Sequence, residues 1–420
     1  MNYRLVFLLL SVVSATMAGA FGLSAMVGGL AYGEFHDPGI REGWGWSLGV
    51  AVAVALGLFL RGRGAKDVFF RKEALAVIGL GWILATVLGA LPFFCLLEEA
   101  PVADCVFESA SGLTTTGASC FAAIESFPRS LMFYRCLSQW LGGLGVVVFF
   151  VAILSFLGAG AKFLYSNESS AQSAELSTAR VQQGVSQIVV LYGAISGLCF
   201  VALLLCGLRP FDAVCHMFTT ISTGGFSTKA ASFGAFNNAA AEWVVIATMA
   251  VCGTSFFFWL KLLAGKPEEC VKNTEVKVYF GIIVAASVLV WYFLLTESRN
   301  PTSAWEAYRV ALFQVVSIIT TTGFTTDDYG AWPAVGQVFM LLMMLVGGCS
   351  GSTAGGAKIV RISAALKICL ASVERSFRVR VVRPLHINGR VLHKEDQEAI
   401  LTFLVMIGLV TILSLLVMTT

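Results

Sequence analysis

Charged residues are scarce in this chain. Only 13% of its 420 residues are charged, whereas soluble domains carry about 25%. The net charge is only +3, which argues against a protein that binds nucleic acid. The eleven cysteines include no CxxC pair, so the sequence offers no zinc or redox site. These deficits argue against an ordinary soluble domain, a nucleic-acid-binding protein and a zinc or redox protein.

Apolar residues make up 57% of the chain, and the mean hydropathy is +0.82. One soluble core cannot bury so many apolar side chains, so we predict an all-α polytopic membrane protein. The first apolar stretch is too long for a signal peptide and is expected to be a retained helix. The predicted spans are 5–32, 46–60, 73–97, 131–159, 186–207, 241–263, 279–296, 335–366 and 399–418.

Basic residues predict the orientation of these spans. They cluster in the connections 61–72, 261–277 and 358–394. If the spans alternate in direction, these connections share one side, which is expected to be the cytoplasm. The N-terminus is then cytoplasmic as well. The regions near 98–130, 208–240 and 297–334 are expected on the outer side.

Each of those three outer regions contains the same nine-residue signature. The copies at 111–119, 219–227 and 317–325 align without gaps as [ST]-x-[LI]-[ST]-T-[TG]-G-[AF]-[ST]. They recur about every 100 residues, each between two predicted spans, which indicates a structural repeat. One copy would be typical of small-residue helix packing or of an ordinary loop. Three copies in equivalent places favour a repeated helix–pore loop–helix unit.

The residue types in the signature suit a cation pathway. Backbone carbonyls replace the hydration shell of an ion in potassium channels, and glycine permits the backbone conformation that this requires. The preceding segments, 102–112, 211–221 and 304–319, are predicted to be short helices. Their C-terminal ends would face the pore, where the helix dipole favours a cation. We therefore predict a pore for a monovalent cation.

A second glycine cluster interrupts the predicted span 335–366. A sequence this rich in glycine is a poor helix former, and broken helices in membranes line cavities. We expect a flexible intramembrane gate below the third signature, although close helix packing would also suit small residues. A phosphate-binding loop is disfavoured because Ala357 precedes Lys358. The predicted gate residues are Gly347, Gly348, Cys349, Ser350, Gly351, Ser352, Thr353, Ala354, Gly355 and Gly356.

The three loops, the segment Gln139–Gly143 and the sequence GGCSGSTAGGAK resemble the Trk/Ktr/HKT superfamily of potassium transporters, and within it the TrkH type. The resemblance implies two extra N-terminal helices at 1–72, followed by pore units at 73–185, 186–278 and 279–397 and by the first helix of an incomplete fourth pore unit at 398–420. It also implies potassium as the substrate, with no cofactor in the chain. The implied selectivity-filter residues, which would bind potassium, are Thr115, Thr116, Gly117, Thr223, Gly224, Gly225, Thr321, Thr322 and Gly323.

The same resemblance implies a homodimer in the bacterial cytoplasmic membrane, with a possible cytoplasmic ring of nucleotide-binding regulatory subunits. The sequence reaches Thr420 before a fourth pore loop, so we expect a truncated chain that is inactive or poorly stable alone.

Three other functions remain open. One is a secondary cation symporter coupled to sodium or protons, and another is an inactive truncated paralogue. The third is a membrane enzyme, which would need polar residues that converge on a site. Glu108, His216 and Gln314 occupy equivalent places in the three short helices. They are expected to support the filters from behind, and no catalytic residue is predicted.

Overall fold

The computed structural model describes residues 1–65, 71–97, 99–156, 178–297, 303–332, 334–378, 385–387 and 390–419. Within them the chain is almost entirely helical. The helices are α1 (Tyr3–Met26), α2 (Pro38–Gly62), α3 (Arg71–Leu96), α4 (Val102–Leu113), α5 (Arg129–Phe156), α6 (Thr178–Leu205), α7 (Pro210–Ile221), α8 (Ala239–Cys252), α9 (Phe256–Leu263), α10 (Pro267–Val271), α11 (Thr274–Glu297), α12 (Ala304–Ile319), α13 (Ala334–Val346), α14 (Ile359–Phe377) and α15 (Lys394–Thr419). Two short strands, β1 (His386–Ile387) and β2 (Arg390–Val391), pair antiparallel.

Local signals explain where several helices begin. Asn2 precedes α1, and its side chain accepts a hydrogen bond from the Leu5 N–H. Asp37 caps α2 and is followed by Pro38 in the first turn, a position where proline needs no hydrogen-bond partner. Ser303 caps α12 through the Glu306 N–H. Each cap satisfies a backbone donor that the first helical turn leaves unpaired.

Six helices in the described part of the chain are long and apolar enough to cross a membrane. They are Tyr3–Ala31 (α1 and a π-helical turn), Pro38–Gly62, Lys72–Leu96, Gly184–Leu205, Thr274–Thr296 and Lys394–Val417. A bent pair of helices would make a seventh span. The predicted all-α membrane fold is therefore confirmed.

The prediction of one continuous span at 241–263 is wrong. Helices α8 and α9 meet at an angle of 94° around residues 253–255. A hydropathy profile does not detect this break, because only three small residues, Gly253, Thr254 and Ser255, separate two strongly apolar helices. The backbone nevertheless leaves the helix there.

The predicted span 335–366 also needs correction. Helix α13 ends at Val346 and α14 begins only at Ile359, so the interruption at the glycine cluster is confirmed. Helix α14 carries Arg361, Lys367 and Arg375 and is amphipathic, so its N-terminal part does not extend an apolar span.

The three predicted short helices are confirmed. Helices α4, α7 and α12 each end directly before a signature glycine segment. Their C-terminal halves are largely buried. The repeat therefore has the same local order of short helix and glycine-containing loop in all three copies.

The chain divides into two compact units. Unit 1 comprises residues 1–156, 192–249 and 322–327. Helices α1 to α5 pack together there, and a buried aromatic group of Phe21, Trp44, Phe93 and Tyr134 lies among them. The three signature glycines all belong to this unit.

Unit 2 comprises residues 157–191, 250–321 and 328–420. One of its cores joins α11, α12 and α13 through Ala286, Val290, Val315 and Met340. A second cluster holds α14 against α15 through Ala364, Ile368 and Ile400. The five-part division of the chain by pore units stays a prediction.

Candidate functional site

The three signature segments share one backbone conformation. The threonines have positive φ angles of 56°, 52° and 57° at Thr115, Thr223 and Thr321. Two residues later, Gly117, Gly225 and Gly323 have φ angles of 77°, 79° and 81°. Positive φ is natural for glycine, but it costs a threonine about 1–3 kcal/mol. The surrounding structure therefore imposes the same strained turn three times.

Each segment leaves its helix through the same turn. In the first two copies, the second residue of the Thr-x-Gly triplet donates to a carbonyl five residues earlier. The first residue donates to a carbonyl three residues earlier. The hydrogen bonds are Thr116 N–Ser111 O and Gly224 N–Thr219 O, both 2.9 Å, Thr115 N–Gly112 O and Thr223 N–Thr220 O, both 3.1 Å, and Thr321 N–Ile318 O, 3.0 Å. The negative end of each short helix thus lies at its signature glycine.

The segments lie side by side in chain order. A Cβ added to Gly117 would collide with the carbonyl oxygen of Gly224, and one added to Gly225 would collide with that of Thr322. Gly224 and Thr322 occupy equivalent positions in their copies. Gly117 and Gly225 thus each face the carbonyl that precedes the signature glycine of the next copy. No atom of the described chain lies within 4 Å of a Cβ added at Gly323.

Helix α5 holds the second segment from behind. The fully buried Gln139 donates from Nε2 to the Gly224 carbonyl at 2.8 Å, and its Oε1 accepts from the Phe226 N–H at 3.1 Å. One amide side chain therefore fixes the backbone on both sides of Gly225. Gly142 and Gly143 follow on α5, and added Cβ atoms there would strike the Leu113 carbonyl and the Ser222 side chain. Helix α5 therefore packs closely against Leu113 and Ser222 at these two glycines.

Polar residues of two short helices contact the serines that lie two positions after the first two signature glycines. The Ser119 hydroxyl lies 3.0 and 3.1 Å from the two oxygens of Glu108. In the second copy, Nε2 of His216 lies 3.0 Å from the Ser227 hydroxyl. These hydrogen bonds join equivalent positions in the first two copies. Gln314, at the third position, is fully buried.

The segment 347–358 is a non-helical loop between α13 and α14. Gly347, Gly351 and Gly356 have positive φ angles, as does Lys358. The loop docks on the break between α8 and α9. Cys349 N donates to Gly253 O at 2.9 Å, and Phe256 N donates to Gly351 O at 3.0 Å. The loop therefore satisfies backbone groups that the helix break leaves unpaired.

Two further contacts fix the loop. The Ser350 N–H donates to Oε1 of the buried Glu275 at 2.7 Å. The Gly355 N–H donates to Oγ1 of Thr321 at 2.6 Å. Thr321 is the first residue of the third Thr-x-Gly triplet, so the loop contacts the base of a predicted filter. The Lys358 ammonium group also donates to the Ala354 carbonyl within the loop.

Sequence reasoning missed Glu275 and Gly253, and it also missed Arg135 of α5, whose Nε lies 2.5 Å from Oε1 of Glu108. Glu275 is a carboxylate at the start of an apolar span, and Arg135 is a charged residue inside a predicted span. Ionisable residues in such places indicate functional roles, so this signal could have found both. Gly253 gave no comparable signal, because its role depends on the distant loop.

Comparisons with known proteins find a matching family, several relatives and a similar solved structure. The family described as "TrkH: Cation transport protein" matches residues 71–420. The Trk system potassium uptake protein TrkH of Salmonella typhimurium is 32% identical over 363 residues, which cover 84% of this chain and 74% of that protein. TrkH of Vibrio parahaemolyticus is 34% identical over 352 residues, which cover 82% and 72%. The crystal structure of the potassium transporter TrkH from Vibrio parahaemolyticus superimposes with a TM-score of 0.89 at 29% identity, covering 99% of this chain and 85% of that chain.

Proposed function

Because the chain belongs to the TrkH family of cation transport proteins, we propose that it moves potassium ions across the cytoplasmic membrane through a channel-like pore. The three repeated Thr-x-Gly turns are the observation that carries this proposal. They present backbone carbonyls in adjacent, equivalent positions without a charged side chain in the triplets. Such carbonyls replace the hydration shell of a monovalent cation.

The filter in this proposal comprises Thr115–Gly117, Thr223–Gly225 and Thr321–Gly323. Serine replacements at the three glycines test it, because each adds a Cβ at a positive φ. Rubidium uptake, with sodium as competitor, is measured in cells that lack their own potassium uptake and that express the chain extended with a fourth pore unit from a relative. We expect loss of uptake or of preference over sodium for Gly117→Ser and Gly225→Ser. Gly197→Ser is the control, since no atom lies within 4 Å of its added Cβ. Parental uptake and preference in all three filter variants would contradict the filter.

The loop 347–356 is proposed as the gate. It contacts Thr321 through Gly355, and its backbone hydrogen bonds dock it on the α8–α9 break. Deletion of Gly348–Gly355 from the version extended with a fourth pore unit should raise rubidium flux and leave ion preference unchanged. Unchanged or lower flux in membrane-inserted protein would mean that the loop serves helix packing.

The finer assignments of location and assembly are also proposals. The basic connections favour a cytoplasmic N-terminus in a bacterial inner membrane. A homodimer and a cytoplasmic nucleotide-binding ring follow from the family resemblance alone. Cross-linking in intact membranes tests the dimer, with a band of twice the chain's 44.9 kDa mass as the expected product.

A further inference from the structure

An ion pair lies buried behind the first two filter segments. Nε of Arg135 on α5 lies 2.5 Å from Oε1 of Glu108 on α4, with 2% and 0% of the side chains exposed. Isolated buried ion pairs often add little to stability compared with apolar residues of similar size. We therefore expect this pair to have a role other than stabilising the fold.

The contacts of Arg135 extend to the second filter. One terminal nitrogen donates to the Ser227 carbonyl at 3.0 Å. The guanidinium carbon lies 3.5 Å from the centre of the Phe226 ring. Gln139, four residues later on the same face of α5, bonds Gly224 and Phe226. Arg135 and Gln139 together hold the backbone from Gly224 to Ser227.

The other partner, Glu108, belongs to the first filter. Its carboxylate accepts the Ser119 hydroxyl, two residues after Gly117. A continuous series of polar contacts therefore joins Ser119, which follows the first filter, to the Ser227 carbonyl, which follows the second. The contacts pass through Glu108 and Arg135. All of these residues lie in unit 1.

We propose that Arg135 is a positioning residue that couples the first and second filter segments, so that the ion preference of the pore depends on a guanidinium remote from the ion path. The inference rests on the proposed function. Lysine cannot replace the arginine, because a single ammonium cannot bond Glu108 and the Ser227 carbonyl while stacking flat on Phe226.

Two variants separate positioning from folding. Arg135→Lys keeps the charge and loses the planar fork. The double variant Glu108→Gln/Arg135→Gln removes both charges, so that no buried charge is left unpaired. Arg129→Lys is the matched control on the same helix, because Arg129 is exposed and its guanidinium stacks more distantly on Phe211, at 5.0 Å.

The full chain is purified in detergent, and its thermal unfolding is followed against potassium and sodium concentration, since an ion that binds the folded state raises Tm. Rubidium uptake with sodium competition is measured in parallel. We expect the preference for potassium to fall about tenfold, or about 1.4 kcal/mol, in Arg135→Lys and in the double variant. The Arg129→Lys control should keep the parental ratio.

The outcomes distinguish the two proposals. Parental preference in folded Arg135→Lys and in the folded double variant overturns the coupling and leaves the transport function intact. A parent chain without any preference for potassium over sodium in either measurement overturns the proposed filter and the coupling with it. Loss of preference in both variants, with Tm of the ion-free double variant near the parental value, supports the coupling.

Discussion

The first threonine of each Thr-x-Gly triplet has a backbone conformation that the surrounding structure imposes. Thr115, Thr223 and Thr321 all have positive φ angles between 52° and 57°, which β-branched side chains avoid. Their hydroxyls offer one reason for retaining threonine, since Thr321 accepts the Gly355 N–H of the loop. The strain is thus tolerated where the side chain has a contact that glycine cannot make.

The filter glycines should differ in their sensitivity to alanine. Gly225→Ala combines a positive φ with a collision against the Thr322 carbonyl, whereas Gly323→Ala meets only the unfavourable φ in the described chain. We expect Gly323→Ala to cost about 1–2 kcal/mol, the penalty of left-handed backbone for one residue, and Gly225→Ala to cost more. Thermal unfolding of the purified variants measures the order.

Gly281→Ala on α11 serves as the control for that series. No atom lies within 4 Å of its added Cβ, and its φ is not in the positive range. Alanine is the better helix former, so this variant should be neutral or slightly stabilising. Equal losses for Gly225→Ala and Gly323→Ala would contradict the collision.

At the scale of elements, α5 and the C-terminal end of α8 make equivalent packing contacts. Each of these helices follows one of the first two signature segments. A Cβ at Gly143 would approach Ser222 and the Tyr192 hydroxyl, and one at Gly253 would approach Thr320 and the Tyr279 hydroxyl. Ser222 and Thr320 are equivalent residues at the ends of α7 and α12. Gly143 therefore allows α5 to pack closely against the end of α7, and Gly253 allows the end of α8 to pack closely against the end of α12.

Alanine at either glycine should therefore have the same effect. Gly143→Ala and Gly253→Ala should each destabilise by about 1–3 kcal/mol, the usual cost of overpacking a close contact. Membrane abundance and Tm are the measurements, with Gly197→Ala on α6 as the control because its added Cβ meets no atom within 4 Å. A normal Tm for one of the two variants alone would show that the contacts are not equivalent.

The docking of the loop 347–356 also makes an element-scale prediction. The Ser350 N–H donates to Glu275 Oε1, so Glu275→Leu removes an acceptor that holds the loop. Glu275→Gln keeps an oxygen at that position. We expect Glu275→Leu to raise rubidium flux without changing ion preference, and Glu275→Gln to keep flux near the parental value. Equal flux in both variants, at equal membrane abundance, would exclude Glu275 as an anchor of the gate.

At the scale of the whole molecule, orientation can be read from two exposed thiols. Cys120 follows the first filter and Cys369 lies on α14. Under the proposed topology they face opposite sides of the membrane. A membrane-impermeant maleimide should label Cys120 in spheroplasts and Cys369 only after permeabilisation, with the labelled peptides identified by mass spectrometry. The reverse pattern would invert the topology.

The rate of labelling at Cys120 should depend strongly on pH. Partial desolvation, together with the nearby Glu108 and Asp104 carboxylates, raises the pKa of this thiol to about 11. The thiolate is the reactive form, and below the pKa its fraction rises about tenfold per pH unit. The rate in permeabilised membranes should therefore still be climbing between pH 8 and 9, where an ordinary thiol begins to level off. A plateau near pH 8.5 would contradict the raised pKa.

The sequence predicted features whose signals are local. The Thr-x-Gly triplets and the short helices before them could be located because glycine, threonine and apolar spacing act within a few residues. The bend at 253–255 could not, because its backbone groups are satisfied by a loop far along the chain. The contact of Arg135 with Glu108 was missed for the same reason, although a charge within an apolar stretch was visible.

The bend between α8 and α9 has a consequence for the order of biosynthesis. Cys252 and Thr353, whose hydrogen bond helps to join the bend to the loop, are 101 residues apart. When the ribosome has just completed α9, the loop does not yet exist. An unpaired backbone group in lipid costs several kcal/mol, so we expect the nascent segment 239–263 to be more stable as one unbroken helix. We therefore expect the bend to form late, when the glycine-rich loop emerges and its backbone replaces hydrogen bonds made within the straight helix.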